Sequence, residues 1–311
     1  MKNSSWPMGI NFMGVSAQDL KENNECREFR QFMELVQTSP IGVFDSGYGG
    51  LTILKEMRRR LPEYDYLYLG DNARAPYGTR SFDVVYRFTL QAVKYLFGCG
   101  CRLVILACNT ASAKALRTIQ QSDLPQLDPS RRVLGVIRPT VEKIGEITRN
   151  GNIGIFGTPG TIQSCSYDIE IGKMYAGQGF RTWGQACPLW VPLVENREAD
   201  GPGADYFVKK YIDMLLARCP DIDSVILGCT HYPLLMDKIR QYMPPGVAVV
   251  EQGGIVADSL ADYLHRHPEI ESRVGHGGTV RYFTTENADR FGQMATLFLG
   301  STVEAEHIDL A

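Results

Sequence analysis

The 311-residue sequence predicts an α/β protein of two pseudo-symmetric domains. Each is expected to be an open, mostly parallel sheet flanked by helices, with an active-site cleft between the two. Three observations carry that expectation. Short apolar runs alternate with amphipathic helical stretches along most of the chain, the pattern of parallel sheets with crossover helices. Two strand ends echo one another, Ile105-Leu106-Ala107-Cys108 against Ile226-Leu227-Gly228-Cys229. An earlier pair of strands does the same, Ile41-Gly42-Val43-Phe44 against Ile153-Gly154-Ile155-Phe156.

The first 39 residues carry no pattern of this kind and are read as an extension outside the fold. Glu25 to Val36 could form a short amphipathic helix. Met8 to Val15 is a poor match to a signal peptide, with Asn11 interrupting it and only Lys2 before it. The first unit starts at Pro40, where the strand Ile41–Phe44 runs into Asp45-Ser46-Gly47-Tyr48-Gly49-Gly50 and the helix Leu51–Arg60. The glycines permit a sharp turn and close backbone approach to a ligand, without the spacing of a dinucleotide fingerprint. The strand Tyr66–Leu69 leads to Gly70-Asp71-Asn72-Ala73-Arg74-Ala75-Pro76-Tyr77-Gly78, a candidate binding loop. The helix Ser81–Phe97 follows, with Ser81 as its cap.

Leu103 to Ala107 is long enough for a strand buried on both faces, and the pattern turns helical through Lys114, Leu116 and Ile119. Cys108 therefore stands at the carboxyl end of a strand, where open α/β sheets bind ligands. Val133–Ile137 is a further strand, and the chain crosses into the second half near Arg138-Pro139. There the helix Val141–Thr148, the strand Ile153–Phe156 and the helix Gln163–Tyr175 follow. Trp183 to Glu195, rich in proline and aromatics, reads as a loop. The helix Asp205–Arg218 feeds the strand Ser224–Leu227 and Cys229. After the helix Leu234–Tyr242 come the strand Val247–Val250, the helix Gly253–His265, the strand Val280–Thr284 and the helix Thr285–Leu299. The expected division is 1–39 as extension, 40–137 with 247–311 as the first domain, and 138–246 as the second.

The charge balance is −3, without a basic block, which argues against nucleic acid or an anionic membrane as the main partner. No apolar run reaches the roughly 20 residues of a membrane-spanning helix. Eight cysteines are too few for a disulfide scaffold, and several lie in apolar strands, as suits a reducing cytosol. Cys99-Gly100-Cys101 near Cys108 lacks the spacing and histidines of a zinc site, so no metal is expected.

One thiol at the same strand end in each half points to chemistry. Core packing accounts for a lone buried cysteine but does not require one at matched positions. Two thiols on opposite faces of one carbon can remove a proton from one side and deliver one to the other, which inverts the centre without a cofactor. Asp45 and His231 stand where they could tune those thiols. Ser46, Asn109, Thr110 and Thr230 offer donors to carboxylates. A rival enzyme using a single cysteine would leave one of Cys108 and Cys229 dispensable. A non-catalytic amino-acid sensor would bind without turnover.

The motifs resemble those of the glutamate racemases. They are Asp45-Ser46-Gly47 with Gly49-Gly50-Leu51, Gly70-Asp71-Asn72-Ala73-Arg74 with Pro76-Tyr77-Gly78, Cys108-Asn109-Thr110-Ala111-Ser112, and Gly228-Cys229-Thr230-His231-Tyr232-Pro233-Leu234. The resemblance runs from Ile41 to the C-terminus. It implies a cofactor-independent homodimeric enzyme of the cytoplasm that acts on glutamate and supplies D-glutamate for peptidoglycan. By that resemblance Cys108 deprotonates D-glutamate and Cys229 L-glutamate. Asp45-Ser46, Tyr77-Gly78, Asn109-Thr110 and Thr230-His231 bind substrate, and Glu195 supports His231. The histidine after Gly-Cys-Thr favours glutamate over the aspartate and hydantoin relatives, which usually carry a glutamate there.

Overall fold

The computed structural model describes residues 39–310; the extension, its candidate helix Glu25–Val36 and the Met8–Val15 stretch lie outside the described residues, apart from Ser39. Two parallel sheets organise the chain. The first has the order β10-β9-β2-β1-β3-β4, with β1 Ile41–Asp45, β2 Tyr66–Gly70, β3 Leu103–Leu106, β4 Arg132–Gly135, β9 Val280–Thr284 and β10 Glu306–His307. The second has the order β6-β5-β7-β8, with β5 Asn152–Gly157, β6 Arg181–Ala186, β7 Ser224–Gly228 and β8 Ala248–Val250.

The internal echo of the sequence is a register in space. In the first sheet Gly42, Val43 and Phe44 lie opposite Val104, Ile105 and Leu106. In the second, Gly154, Ile155 and Phe156 lie opposite Val225, Ile226 and Leu227. The order β2-β1-β3-β4 is repeated as β6-β5-β7-β8, so each half reverses direction between its first and third strands. That reversal is a topological switch point, where the crevice at the strand ends is widest. The central strands β1, β2, β3 and β7 are buried throughout, as parallel strands covered by helices on both faces must be.

Several sequence expectations need correction. Val136 and Ile137 do not continue a strand; β4 ends at Gly135 and a helix runs Ile137–Ile147. An apolar run alone cannot distinguish the two. Gln163–Tyr175 is not one helix, because Cys165 adopts a left-handed φ of 52° between the helices Pro159–Gln163 and Ser166–Met174. Trp183–Glu195 is not a loop but the end of β6 followed by the helix Trp190–Glu195. Pro192 fits there because it lies in the first turn, where a missing N–H leaves no bond unmade. The strand at Ala248–Val250 pairs with β7 rather than with the first sheet, so the chain returns to the first half after Val250, not at 247. In the first sheet β9 lies beside β2.

Candidate active site

On the first half, β1 and β3 are neighbours and deliver Asp45 and Cys108 to the same edge. Cys108 caps the helix Asn109–Lys114, its Sγ accepting the Ala111 N–H at 3.5 Å, and Ser46 Oγ lies 3.4 Å away. Burial, reinforced by the Asp45 carboxylate, pushes the Cys108 thiol up to about 12, so it is protonated at neutral pH. Asp45 itself is raised by burial, while the charge of His231 pulls it down. Its Oδ2 accepts the Gly47 N–H at 2.9 Å, and its Oδ1 has no partner among the described residues. Tyr77 is buried and donates to Asp71, which also accepts from Arg74 Nε at 2.7 Å and Thr285 Oγ1 at 2.9 Å. The loop carrying Tyr77-Gly78 is thereby tied to the strand end of β2.

On the second half, β7 ends at Gly228 and the chain turns through Cys229, Thr230 and His231. His231 Nδ1 lies 3.9 Å from Cys229 Sγ, and its Nε2 meets Glu195 Oε1 at 2.9 Å. Glu195 reaches it because Trp190 anchors the helix Trp190–Glu195. The indole packs at 4.9 Å on Phe156 and 4.8 Å on Tyr232, between ring centroids. Burial pushes the His231 imidazolium down, but the Cys229 sulfur and the Glu195 carboxylate outweigh it and raise the group to about 10.

A group raised in this way stabilises the fold fully below its ordinary 6.5 and loses that contribution as pH climbs to about 10. Between those limits the wild-type melting temperature is expected to fall more steeply than that of His231→Asn. Calorimetry across the window checks this, and parallel curves would contradict it.

The halves meet around these groups. Gly160 N–H donates to Gly78 O at 2.8 Å, and Thr110 Oγ1 lies 3.0 Å from Thr158 Oγ1 and 3.3 Å from Thr161 Oγ1. Thr52 Oγ1 donates to Thr230 O at 3.1 Å. Cys108 and Cys229 are each 6% exposed, so both thiols are held largely out of bulk solvent. A cavity of about 580 Å³ borders Cys229 and Thr230 but touches none of Asp45, Tyr77 or Cys108. Among the described residues no three His, Cys, Asp or Glu side chains gather as a metal site. Cys99 and Cys101 belong to the apolar core with Leu96 and Val104.

The profile of the Asp/Glu/Hydantoin racemase family matches residues 42–260. A glutamate racemase of Ruegeria sp. (strain TM1040) is 42% identical over 276 residues, 86% of this chain and 98% of that protein. The chain belongs to this racemase family, on its glutamate racemase branch. A glutamate racemase of Persephonella marina is 39% identical over 87% of this chain and 97% of its own length. Among solved structures, glutamate racemase isoform RacE1 from Bacillus anthracis superposes with a TM-score of 0.79 at 34% identity, covering 88% of this chain and 98% of that one. Glutamate racemase from Francisella tularensis, solved in complex with D-glutamate, gives a TM-score of 0.77 at 29% identity over the same shares. Membership of the family makes the chain an isomerase.

The structure brings Asp45, Ser46 and Cys108 to one strand edge and Thr230, His231 and Glu195 around Cys229. Asn109 and Thr110 lie on the helix that Cys108 caps, facing residues of the second half. Sequence reasoning missed Thr158, Thr161, Tyr167 and Gln252 in this region. Thr158 had a signal: in the echo of the two halves it takes the position of Ser46. Tyr167 and Gln252 had none.

Proposed function

We propose that the chain interconverts L- and D-glutamate by proton transfer between two thiols, without a cofactor. The observation that carries this reading is the pairing of Cys108 and Cys229 at matched strand ends in dissimilar environments. One thiol is protonated beside Asp45; the other faces the charge of His231.

With L-glutamate bound, the Cys229 thiolate removes the proton from Cα. The electron pair left behind spreads into the α-carboxylate, and the Cys108 thiol delivers its proton to the opposite face. D-glutamate leaves a Cys108 thiolate and a Cys229 thiol, and proton exchange with solvent resets the pair. The D-to-L direction runs through the same steps reversed. The unpartnered Asp45 Oδ1 suits the substrate ammonium. Ser46, Tyr77-Gly78, Asn109, Thr110 and Thr230 supply the surrounding contacts, with Glu195 orienting His231. Closure of the halves keeps water from the carbanion-like intermediate.

The same reading assigns the D-glutamate to peptidoglycan synthesis in the cytoplasm and the chain to a homodimer, on the family resemblance. No helix among the described residues is long and apolar enough to cross a membrane.

The test is optical rotation of purified protein with L- or D-glutamate and no added cofactor, with aspartate in parallel. A racemic endpoint from either glutamate enantiomer is expected. Inversion of aspartate alone, or of neither, would overturn the assignment.

A further inference from the structure

We infer that Gln252 is a positioning residue for the reaction, holding the Asn109 amide beside Cys108 through a closed ring of buried hydrogen bonds; this rests on the function proposed above. Asn109 Nδ2 donates to Gln252 Oε1 at 2.6 Å. Gln252 Nε2 donates to Tyr167 OH at 2.9 Å, and Tyr167 OH donates to Asn109 Oδ1 at 2.7 Å. Donors and acceptors run head to tail around three residues. The second Gln252 hydrogen goes to Thr140 Oγ1 at 2.8 Å, and Thr140 Oγ1 in turn donates to Val136 O at 2.7 Å.

The ring and its Thr140 branch draw on both halves. Asn109 follows Cys108 directly. Tyr167 lies on the helix Ser166–Met174 of the second half. Thr140 is on the helix Ile137–Ile147 that follows β4, and Gln252 stands between β8 and the helix Gly253–Arg266. The ring with its Thr140 branch therefore joins both places where the chain passes between the halves to the residue next to the first thiol.

Asn109, Tyr167 and Gln252 are at most 3% exposed and Thr140 is fully buried, so water cannot replace a lost partner. Removing one member leaves the others with unpaired polar atoms at a buried site, which moves them. In the function proposed above, Asn109 is the ring member that contacts substrate. Its amide has one N–H hydrogen and one lone pair that the ring does not use.

The test is Gln252→Met, which keeps the volume and removes both polar atoms, with Tyr167→Phe as a second variant. Each is made alone and on Asn109→Ala, with melting temperatures alongside and kcat and KM for glutamate below the melting range. A displacement on the order of 1 Å at a positioned group can cost up to about 100-fold. A loss of about tenfold or more in kcat/KM is expected for each single variant, and almost no further loss on Asn109→Ala. Equal losses in both backgrounds, or a lower melting temperature with unchanged kcat/KM, would overturn the inference. A wild type inactive on glutamate would overturn the functional reading and this inference together; an active wild type with unaffected variants overturns the inference alone.

Discussion

Cys108→Ala and Cys229→Ala are each expected to lower glutamate racemisation in both directions by about 10²- to 10⁴-fold, the range of one lost acid or base. Racemisation needs both faces of Cα served in every turnover. Removing Cys108 takes away the proton donor for the L-to-D direction and the base for the reverse. Removing Cys229 does the opposite, so neither direction survives either change. The folds should persist, since each change removes one buried sulfur and, at Cys108, a single 3.5 Å cap to the Ala111 N–H. Chiral chromatography of timed reactions measures the loss. Activity retained in either variant would point to a single-thiol enzyme.

Gly49→Ala should be nearly as damaging although it touches no reacting atom. A Cβ at Gly49 would lie 2.2 Å from Thr230 Oγ1 and 2.4 Å from His231 Nδ1. The imidazole cannot swing aside freely, and the Thr230 backbone cannot retreat freely. Thr230 O is held by Thr52 across the halves, and His231 is held by Glu195. The methyl must therefore wedge the turn after β1 away from the Cys229 loop. A separation of that kind is expected to cost about 100-fold in kcat/KM. Gly172→Ala is the control, because a Cβ there meets nothing within 4 Å. Full activity in Gly49→Ala would contradict the closed arrangement of the two halves.

The parts of this site that could be read from sequence are those built on central strands. Such strands are buried on both faces, so Ile41–Phe44, Leu103–Leu106, Ile153–Phe156 and Ser224–Leu227 stand out as apolar runs. Their polar ends mark Asp45, Cys108 and Cys229. The edge strand β6 is harder, because Thr182, Trp183 and Gly184 are only partly buried and its pairing with β5 is made by backbone. With Pro188 and Pro192 close behind, the stretch resembles a loop until Pro192 is placed in a first turn. Ala248–Val250 is three residues long, too short for periodicity to show which sheet it joins. The Asn109, Tyr167 and Gln252 ring was out of reach for a different reason. It is made of contacts between residues as far as 143 apart in sequence, and nothing in local pattern announces such a pairing.

The central claim is that two thiols on opposite faces share the proton transfer. The most direct measurement starts from L-glutamate in deuterated water and follows, by NMR in the first few per cent of reaction, which enantiomer carries deuterium at Cα. The account predicts that D-glutamate is deuterated from its first appearance while the remaining L-glutamate keeps its proton. D-glutamate that retains the substrate's own proton, or L-glutamate that exchanges without inversion, would contradict it.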